Sequence, residues 1–469
     1  MLLRHMLVLL ATLSLAACGS APLAEQATVP AAPAPPTAAP PSRETFAPPP
    51  TQPPAPTALP TTAPEQAAAP PTQPPAPTAL PATKPAATAL PAASFGSEIL
   101  FLRKGALIAF DSATHKERQI ADRVIDFAPA PGGAQIALVR APVSDVDLWV
   151  VQRDGGGLRQ LTGDGNQRVE AAPDWAPDGA AIVYASSDTS DRYTRTWPGW
   201  SEWCEASEIH VLNVADGAVQ SFGPGCDPAF SPDGKRIAYA TPPSIHQEGA
   251  NVRNAANAIR LINRMGQNGW NFAVADGGSG DNPAKSGLLV YAPAWSPDGK
   301  QIVYHRFLGY QALVDLDLTE IAGSFDGKGQ PLDSGAGWLL PARFAPDRQL
   351  VAITENNVGD ARGFGGYDNW AVTVTSLGGA REIALPSGAL TAVGQHVDRL
   401  PRGQAAAWSP DGAVLAVELP PGWNPKLTPN EPVNADGKPG EVWRWQPGSA
   451  PTELLVKDVD FASPLAWLP

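Results

Sequence analysis

The feature that most constrains this chain is a phrase it repeats. It reads Pro173-Asp-Trp-Ala-Pro-Asp-Gly179, Pro228-Ala-Phe-Ser-Pro-Asp-Gly234, Pro293-Ala-Trp-Ser-Pro-Asp-Gly299 and Ala406-Ala-Trp-Ser-Pro-Asp-Gly412, with looser copies at Phe127-Ala-Pro-Ala-Pro-Gly132 and Phe344-Ala-Pro-Asp347. Recurrence at tens of residues marks a repeat fold, in which each unit buries its apolar face only against the next. Proline presets φ at the first corner of a turn, and Asp and Gly suit the following positions, so each copy predicts a hairpin. Alternating apolar strands follow the turns, as in Ile182-Val-Tyr, Ile237-Ala-Tyr, Ile302-Val-Tyr and Val414-Leu-Ala-Val. The aromatic ahead of each turn, Phe127, Trp175, Phe230, Trp295, Phe344 or Trp408, is expected to fill the gap between neighbouring sheets. Where the repeat is uninterrupted, third and fourth strands follow, as in Asp147-Leu-Trp-Val-Val-Gln and Leu158-Arg-Gln-Leu-Thr162.

An aromatic followed by Ser-Pro-Asp-Gly and then Ile/Val-Ala-Tyr/Phe resembles the TolB-like, WD40-like β-propeller repeat, and the resemblance covers essentially all of 98–469. It implies an all-β propeller and says little about function. TolB itself carries an α/β domain where this chain has a proline-rich segment, so only the repeat fold is carried over. Six turn prolines are plain: Pro129, Pro177, Pro232, Pro297, Pro346 and Pro410. Ala466-Trp467-Leu468-Pro469 supplies a first strand with no blade behind it, while Glu98-Ile-Leu-Phe-Leu, Leu107-Ile-Ala-Phe and Arg118-Gln-Ile supply strands two to four with none ahead. Pairing of these two pieces, with Trp467 as the seventh packing aromatic, predicts a closed ring of seven blades with no open edge between first and last. Spacings between the turn prolines of 48, 55, 65, 49, 64 and 59 residues place insertions in the second, third, fifth and sixth intervals.

Ahead of the repeats, residues 1–17 read as a secretory signal: Arg4 and His5 precede an apolar stretch too short to span a bilayer. Its Leu-Ala-Ala-Cys18 ending resembles the bacterial lipobox, which implies lipidation of Cys18 and a place in the bacterial cell envelope, held to the extracytoplasmic side of a membrane. Residues 18–97 form the expected tether, with 23 of the 53 prolines, and Pro-Pro-Thr-Gln-Pro-Pro-Ala-Pro-Thr-Ala-Leu-Pro occurs at 49–60 and again at 70–81. Such a composition cannot bury a core and favours extended polyproline II. Signal and tether carry compensating charges, so the formal charge of −13 falls on 98–469. That argues against nucleic acid as a partner.

Cys204 and Cys226 remain after lipidation, and an even pair in an oxidising compartment predicts one disulfide. Just before it, Trp197, Trp200 and Trp203 recur three residues apart, and Gly363-Phe364-Gly-Gly-Tyr367-Asp-Asn-Trp370 is a second aromatic loop. Two readings fit both: aromatics that stack on a sugar or fill a partner's pocket, or loops that pack their own aromatics onto the blade. Catalytic signatures are missing; Gly277-Gly-Ser-Gly-Asp281 fails the nucleophile-elbow pattern at its last position, and His115, His210, His246, His305 and His396 are scattered. No cofactor or metal is expected. These observations point to a non-enzymatic module binding a protein or polysaccharide of the cell envelope. The alternatives are a hydrolase or lyase assembled across blades at the propeller mouth, and an extracytoplasmic sensor.

Overall fold

The computed structural model describes residues 97–469 apart from 143–145, 164–167, 189–196, 249–250, 276–287, 312–313, 326, 337–339, 357–369, 386–387, 419–438, 449–452, 461–462 and 469. The signal and the tether up to residue 96 lie outside the described residues. Seven antiparallel sheets follow one another around a ring. Blade 1 joins Ala466–Leu468 to Glu98–Arg103, Ala106–Asp111 and Lys116–Ala121. Blade 2 runs Val124–Pro129, Gln135–Arg140, Asp147–Gln152 and Arg159–Gln160; blade 3 Val169–Trp175, Ala181–Ser187, Ser207–Asn213 and Val219–Pro224. Blade 4 runs Cys226–Phe230, Arg236–Ala240, Asn251–Asn263 and Trp270–Ala275, and blade 5 Leu289–Trp295, Gln301–Gln311, Val314–Gly323 and Gln330–Ala336. Blade 6 runs Arg343–Phe344, Leu350–Asn356, Trp370–Ser376 and Gln395–Pro401; blade 7 Gly403–Trp408, Val414–Glu418, Gly440–Trp445 and Glu453–Val459.

Ring closure is as the two orphan pieces predicted. Trp467 lies opposite Ile99 and Ala466 opposite Leu100. The chain leading into that strand is stitched to blade 1: the Asp460 carboxylate accepts the backbone N–H groups of Lys104 (2.6 Å) and Gly105 (2.8 Å), and Ser463 Oγ accepts that of Leu102 (2.7 Å). Arg103 donates to the carbonyls of Asp458 and Lys457. Glu98, buried beside the closing strand, is held by Arg118 and Arg153, both at 2.8 Å, and so is compensated.

The core consists of apolar layers between blades. Leu468 joins Leu100, Leu107, Phe127 and Ile136 between blades 1 and 2, and Trp467 packs on the layer between blades 7 and 1. The tryptophans of the phrase add a polar link, since Trp175, Trp295 and Trp408 each donate the indole N–H to a carbonyl of the preceding blade, at Ala128, Ala229 and Arg343. The serine of the phrase has its own role: Ser231 and Ser296 donate to the turn carboxylates Asp233 and Asp298 at 2.7 Å and accept the N–H of Arg236 and Gln301 at 2.9 Å. Gly299 closes the same turn at φ 68°, where a side chain would be strained.

One register differs from expectation. In blade 2 the turn is closed by Ala130 N–H to Gln135 O and Gly133 N–H to Ala130 O, matching Ala176 and Gly179 in blade 3. The turn proline is therefore Pro131 rather than Pro129, and Pro129 occupies the position of Trp175. Phe127 lies two residues upstream and is buried between blades 1 and 2 all the same.

The strands divide the molecule into two faces. The Pro-Asp-Gly turns and the third-to-fourth connections form a turn face; second-to-third connections and blade-to-blade crossings form a loop face. Among the described residues, three insertions fall on the loop face: the helix Trp197–Glu205 in blade 3, the arm Ser244–Glu248 paired with the start of Asn251–Asn263 in blade 4, and the long strands Gln301–Gln311 and Val314–Gly323 in blade 5. The hairpin Arg381–Leu385 and Gly388–Ala392 extends blade 6 from the turn face and packs Ile383, Leu385 and Ala392 against Leu308 and Leu318 of blade 5.

Candidate functional site

The loop face of blades 3 to 5 is built around the helix Trp197–Glu205. A disulfide between Cys204 and Cys226, spanning 22 residues, ties its last turn to the first residue of blade 4's inner strand. Trp200 is fully buried and Trp203 is 2% exposed; the Trp200 indole donates to Asp227 Oδ2 at 2.9 Å, and the same oxygen accepts the N–H of Ala292 in blade 5. Asp227 reaches both groups from a bulged inner strand, at φ 50°, and Ala172, Ala292 and Ala405 repeat that left-handed conformation three residues before their aromatics. Such a conformation costs about 1–2 kcal/mol per non-glycine residue, so the surrounding ladder must hold it in place.

These contacts correct the expectation that Trp200 and Trp203 stand ready for a ligand: the helix folds them into the core, because blades 4 and 5 supply the apolar floor. Trp197 opens the helix and Trp370 opens the third strand of blade 6, but neither side chain is described; Phe364 and Tyr367 lie outside the described residues.

A row of polar side chains crosses blade 5, with Tyr291, His305, Thr319 and Asp333 as successive cross-strand partners. Tyr291 donates to Asp317 Oδ1 at 2.7 Å, and its ring lies 5.3 Å from that of His305. His305 is fully buried between Thr319 Oγ1 (3.1 Å) and the Leu340 carbonyl (2.7 Å), and burial lowers its pKa to about 4 against the opposing pull of that carbonyl. Asp333 meets His396 at 2.7 Å, Thr375 Oγ1 at 3.1 Å, and Arg381. Burial alone would raise its pKa, yet His396 and Arg381 hold it below the usual carboxylate range. The row was not legible in the sequence, since its members lie on four separate strands and only the register brings them side by side. Among the described residues no group of three or more His, Cys, Asp or Glu is arranged to hold a metal ion.

A second feature lies on the innermost strands, at the residue just before each phrase aromatic, or before Pro129 in blade 2. Five of these seven positions are alanine, at Ala128, Ala229, Ala294, Ala407 and Ala466, placed by the pairing of their strands. The other two are Asp174, half-buried, and Arg343, exposed. Asp174 Oδ2 accepts the N–H of Phe230 in blade 4 at 2.7 Å. Burial raises its pKa to about 6, against the Phe230 N–H and the positive charge of Arg343.

No protein-family model matches the chain, and no curated protein matches it. Similar solved structures include an oligogalacturonate lyase in complex with manganese, at 14% identity and TM-score 0.45, covering 67% of this chain and 79% of that one. TolB from Acinetobacter baumannii is similar at 14% identity and TM-score 0.39, covering 78% of this chain and 79% of its own. The tricorn protease is similar at 14% identity and TM-score 0.46 over 79% of this chain and 34% of that protein. TolB thus stands among the similar structures, as the repeated phrase implied. At this distance, the activities named for those proteins do not transfer to this chain.

Proposed function

We propose that this chain is a lipid-anchored, extracytoplasmic β-propeller that binds a protein or polysaccharide of the cell envelope through its loop face. The observation that carries the proposal is the placement of inserted chain: three successive blades extend the same face, whereas the Pro-Asp-Gly turns opposite stay tight. In repeat proteins, insertions on one face are the usual way to build a binding surface. The disulfide and the buried Trp200 and Trp203 hold the blade 3 insertion in one conformation, which lowers the ordering cost of association. Lipid on Cys18 would keep the ring at the membrane, with the proline-rich segment as spacer.

The test uses the lipidated chain against arrays of envelope polysaccharides and defined envelope proteins. Shortening the Ser244–Glu248 arm to a tight turn is expected to weaken binding at least tenfold, while Lys300→Ala on the turn face leaves it unchanged. Binding indifferent to the loop face would overturn the proposal, and release of product from a bound polysaccharide would replace it with the enzyme reading. Cys18→Ala should free the protein from membranes; unchanged association would refute the anchor.

A further inference from the structure

On the turn face, the seam between blades 7 and 1 is built differently from those between blades 3 and 4 and between blades 5 and 6. Asp178 and Asp298, turn carboxylates of blades 3 and 5, each reach an arginine of the following blade, Arg264 at 2.5 Å and Arg348 at 2.9 Å. Asp411 of blade 7 instead meets Arg444 of its own blade at 2.5 Å, so this pair does not cross to blade 1. The indole link is missing as well. Among the described residues the buried Nε1 of Trp467 meets no acceptor, whereas Trp175, Trp295 and Trp408 each donate to the blade before them. A cavity of about 350 Å³ opens at this point, lined by Pro410, Asp411, Arg444, Glu453 and Leu455 of blade 7 and by Trp467 of blade 1. Small-molecule pockets run from about 300 to 1,000 Å³, so the volume suits a single ring with its substituents.

We propose that this cavity binds one neutral hexopyranose ring, laid on Trp467 with hydroxyls donated to Asp411 and Glu453. The lining divides in the way such a ring requires. Trp467, Leu455 and Pro410 supply apolar surface for its C–H face. The side chains of Asp411 and Glu453 are 59% and 56% exposed, and Arg444 lies against both carboxylates. The guanidinium fixes the two acids in place and is not itself required by the ligand, because a carboxylate offers about four lone-pair positions and accepts from several donors at once. Ser409 and Arg444 hold Asp411 below the usual carboxylate range, which keeps it an acceptor. Hydroxyls donating to carboxylates make charge-assisted bonds. Two carboxylates against one guanidinium leave the lining negative, which disfavours an acidic sugar. The site lies on the turn face and does not depend on what the loop face binds.

The experiment titrates the full chain with glucose, galactose, mannose, glucuronate, galacturonate and tetramethylammonium, read by calorimetry and by NMR of the ligand protons. The tightest neutral hexose is expected to bind with Kd at or below about 10 mM, and its uronate at least about fivefold more weakly. Glu453→Ala and Asp411→Asn should each weaken the hexose at least about fivefold while keeping the wild-type thermal transition; if one variant fails to fold, the other decides. Shortening the Ser244–Glu248 arm should leave hexose affinity unchanged, so this site and the loop face fail separately. No hexose binding at about 50 mM, a uronate bound as tightly, or tetramethylammonium bound more tightly than any hexose would overturn the proposal. So would unchanged affinity in the folded variants, or loss of hexose binding when the arm is shortened.

Discussion

The closing strand offers the most direct test of what holds the ring. Leu468 is 2% exposed and sits among Leu100, Leu107, Phe127 and Ile136, so Leu468→Ala removes apolar contact between blades 1 and 2 while leaving the backbone pairing with Glu98 in place. Replacing a buried leucine by alanine costs about 2–5 kcal/mol, depending on how far the site can collapse. Ridges of a closed ring cannot shift independently, so a value near 3 kcal/mol is expected. For a cooperative domain of about 370 residues the unfolding entropy is roughly 0.8 kcal/mol/K, so this corresponds to a fall in Tm of about 4 °C. Leu158→Ala makes the same chemical change at a residue that is 40% exposed and should cost under about 0.5 kcal/mol. Removing 463–469 also takes away Trp467 and the Ser463 hydroxyl that caps Leu102, and uncovers the edge of Glu98–Arg103, so the loss should be several times larger. Calorimetry and urea titration of the four proteins decide the matter. Leu468→Ala within about 0.5 kcal/mol of wild type, or a truncated chain with an unshifted transition, would refute closure by this strand.

Cys204→Ser combined with Cys226→Ser frees a loop closed over 22 residues and is expected to lower stability by about 3 kcal/mol, measured by guanidinium unfolding; a loss under about 1 kcal/mol would contradict it. Two groups, the buried His305 and the half-buried Asp174, should give opposite pH slopes. His305 takes its proton near pH 4 when folded and near 6.5 when unfolded, so the unfolded chain protonates first and acidification from pH 7 to 5 costs about 1–2 kcal/mol. Asp174 takes its proton near pH 6 when folded and near 3.8 when unfolded, so the same change of pH stabilises by about 1–2 kcal/mol. In Tm measurements at pH 7 and 5, His305→Gln should therefore shift the acid response toward stabilisation and Asp174→Asn toward destabilisation; equal responses in all three proteins would sink this assignment.

Local chemistry carried most of the architecture. The Pro-Asp-Gly turns and the alternating strands behind them define hairpins whatever lies around them, and the headless strands after Glu98 required the strand at Trp467 as partner. Blade 2 shows where that reading loses its grip. Pro129 and Pro131 stand two residues apart, so strand alternation assigns both to the same face, and only the hydrogen bonds of Ala130 and Gly133 choose between them. The tryptophans at 200 and 203 have a spacing that suits a core helix as well as a binding loop, and the choice belongs to the apolar floor supplied by blades 4 and 5.

Asp174 and Arg343 lie between these cases: they interrupt a column of alanines that is visible once the phrases are aligned, yet nothing in the linear chain says that charges 169 positions apart act on one another. By itself the sequence determined the repeating unit, the number of units and the way the ring closes, because turns and strand alternation depend on neighbouring residues. Only the tertiary structure decided which aromatics are covered, which histidine stays neutral and which charges act on one another across blades, because burial and electrostatic environment depend on groups that the closed ring brings together.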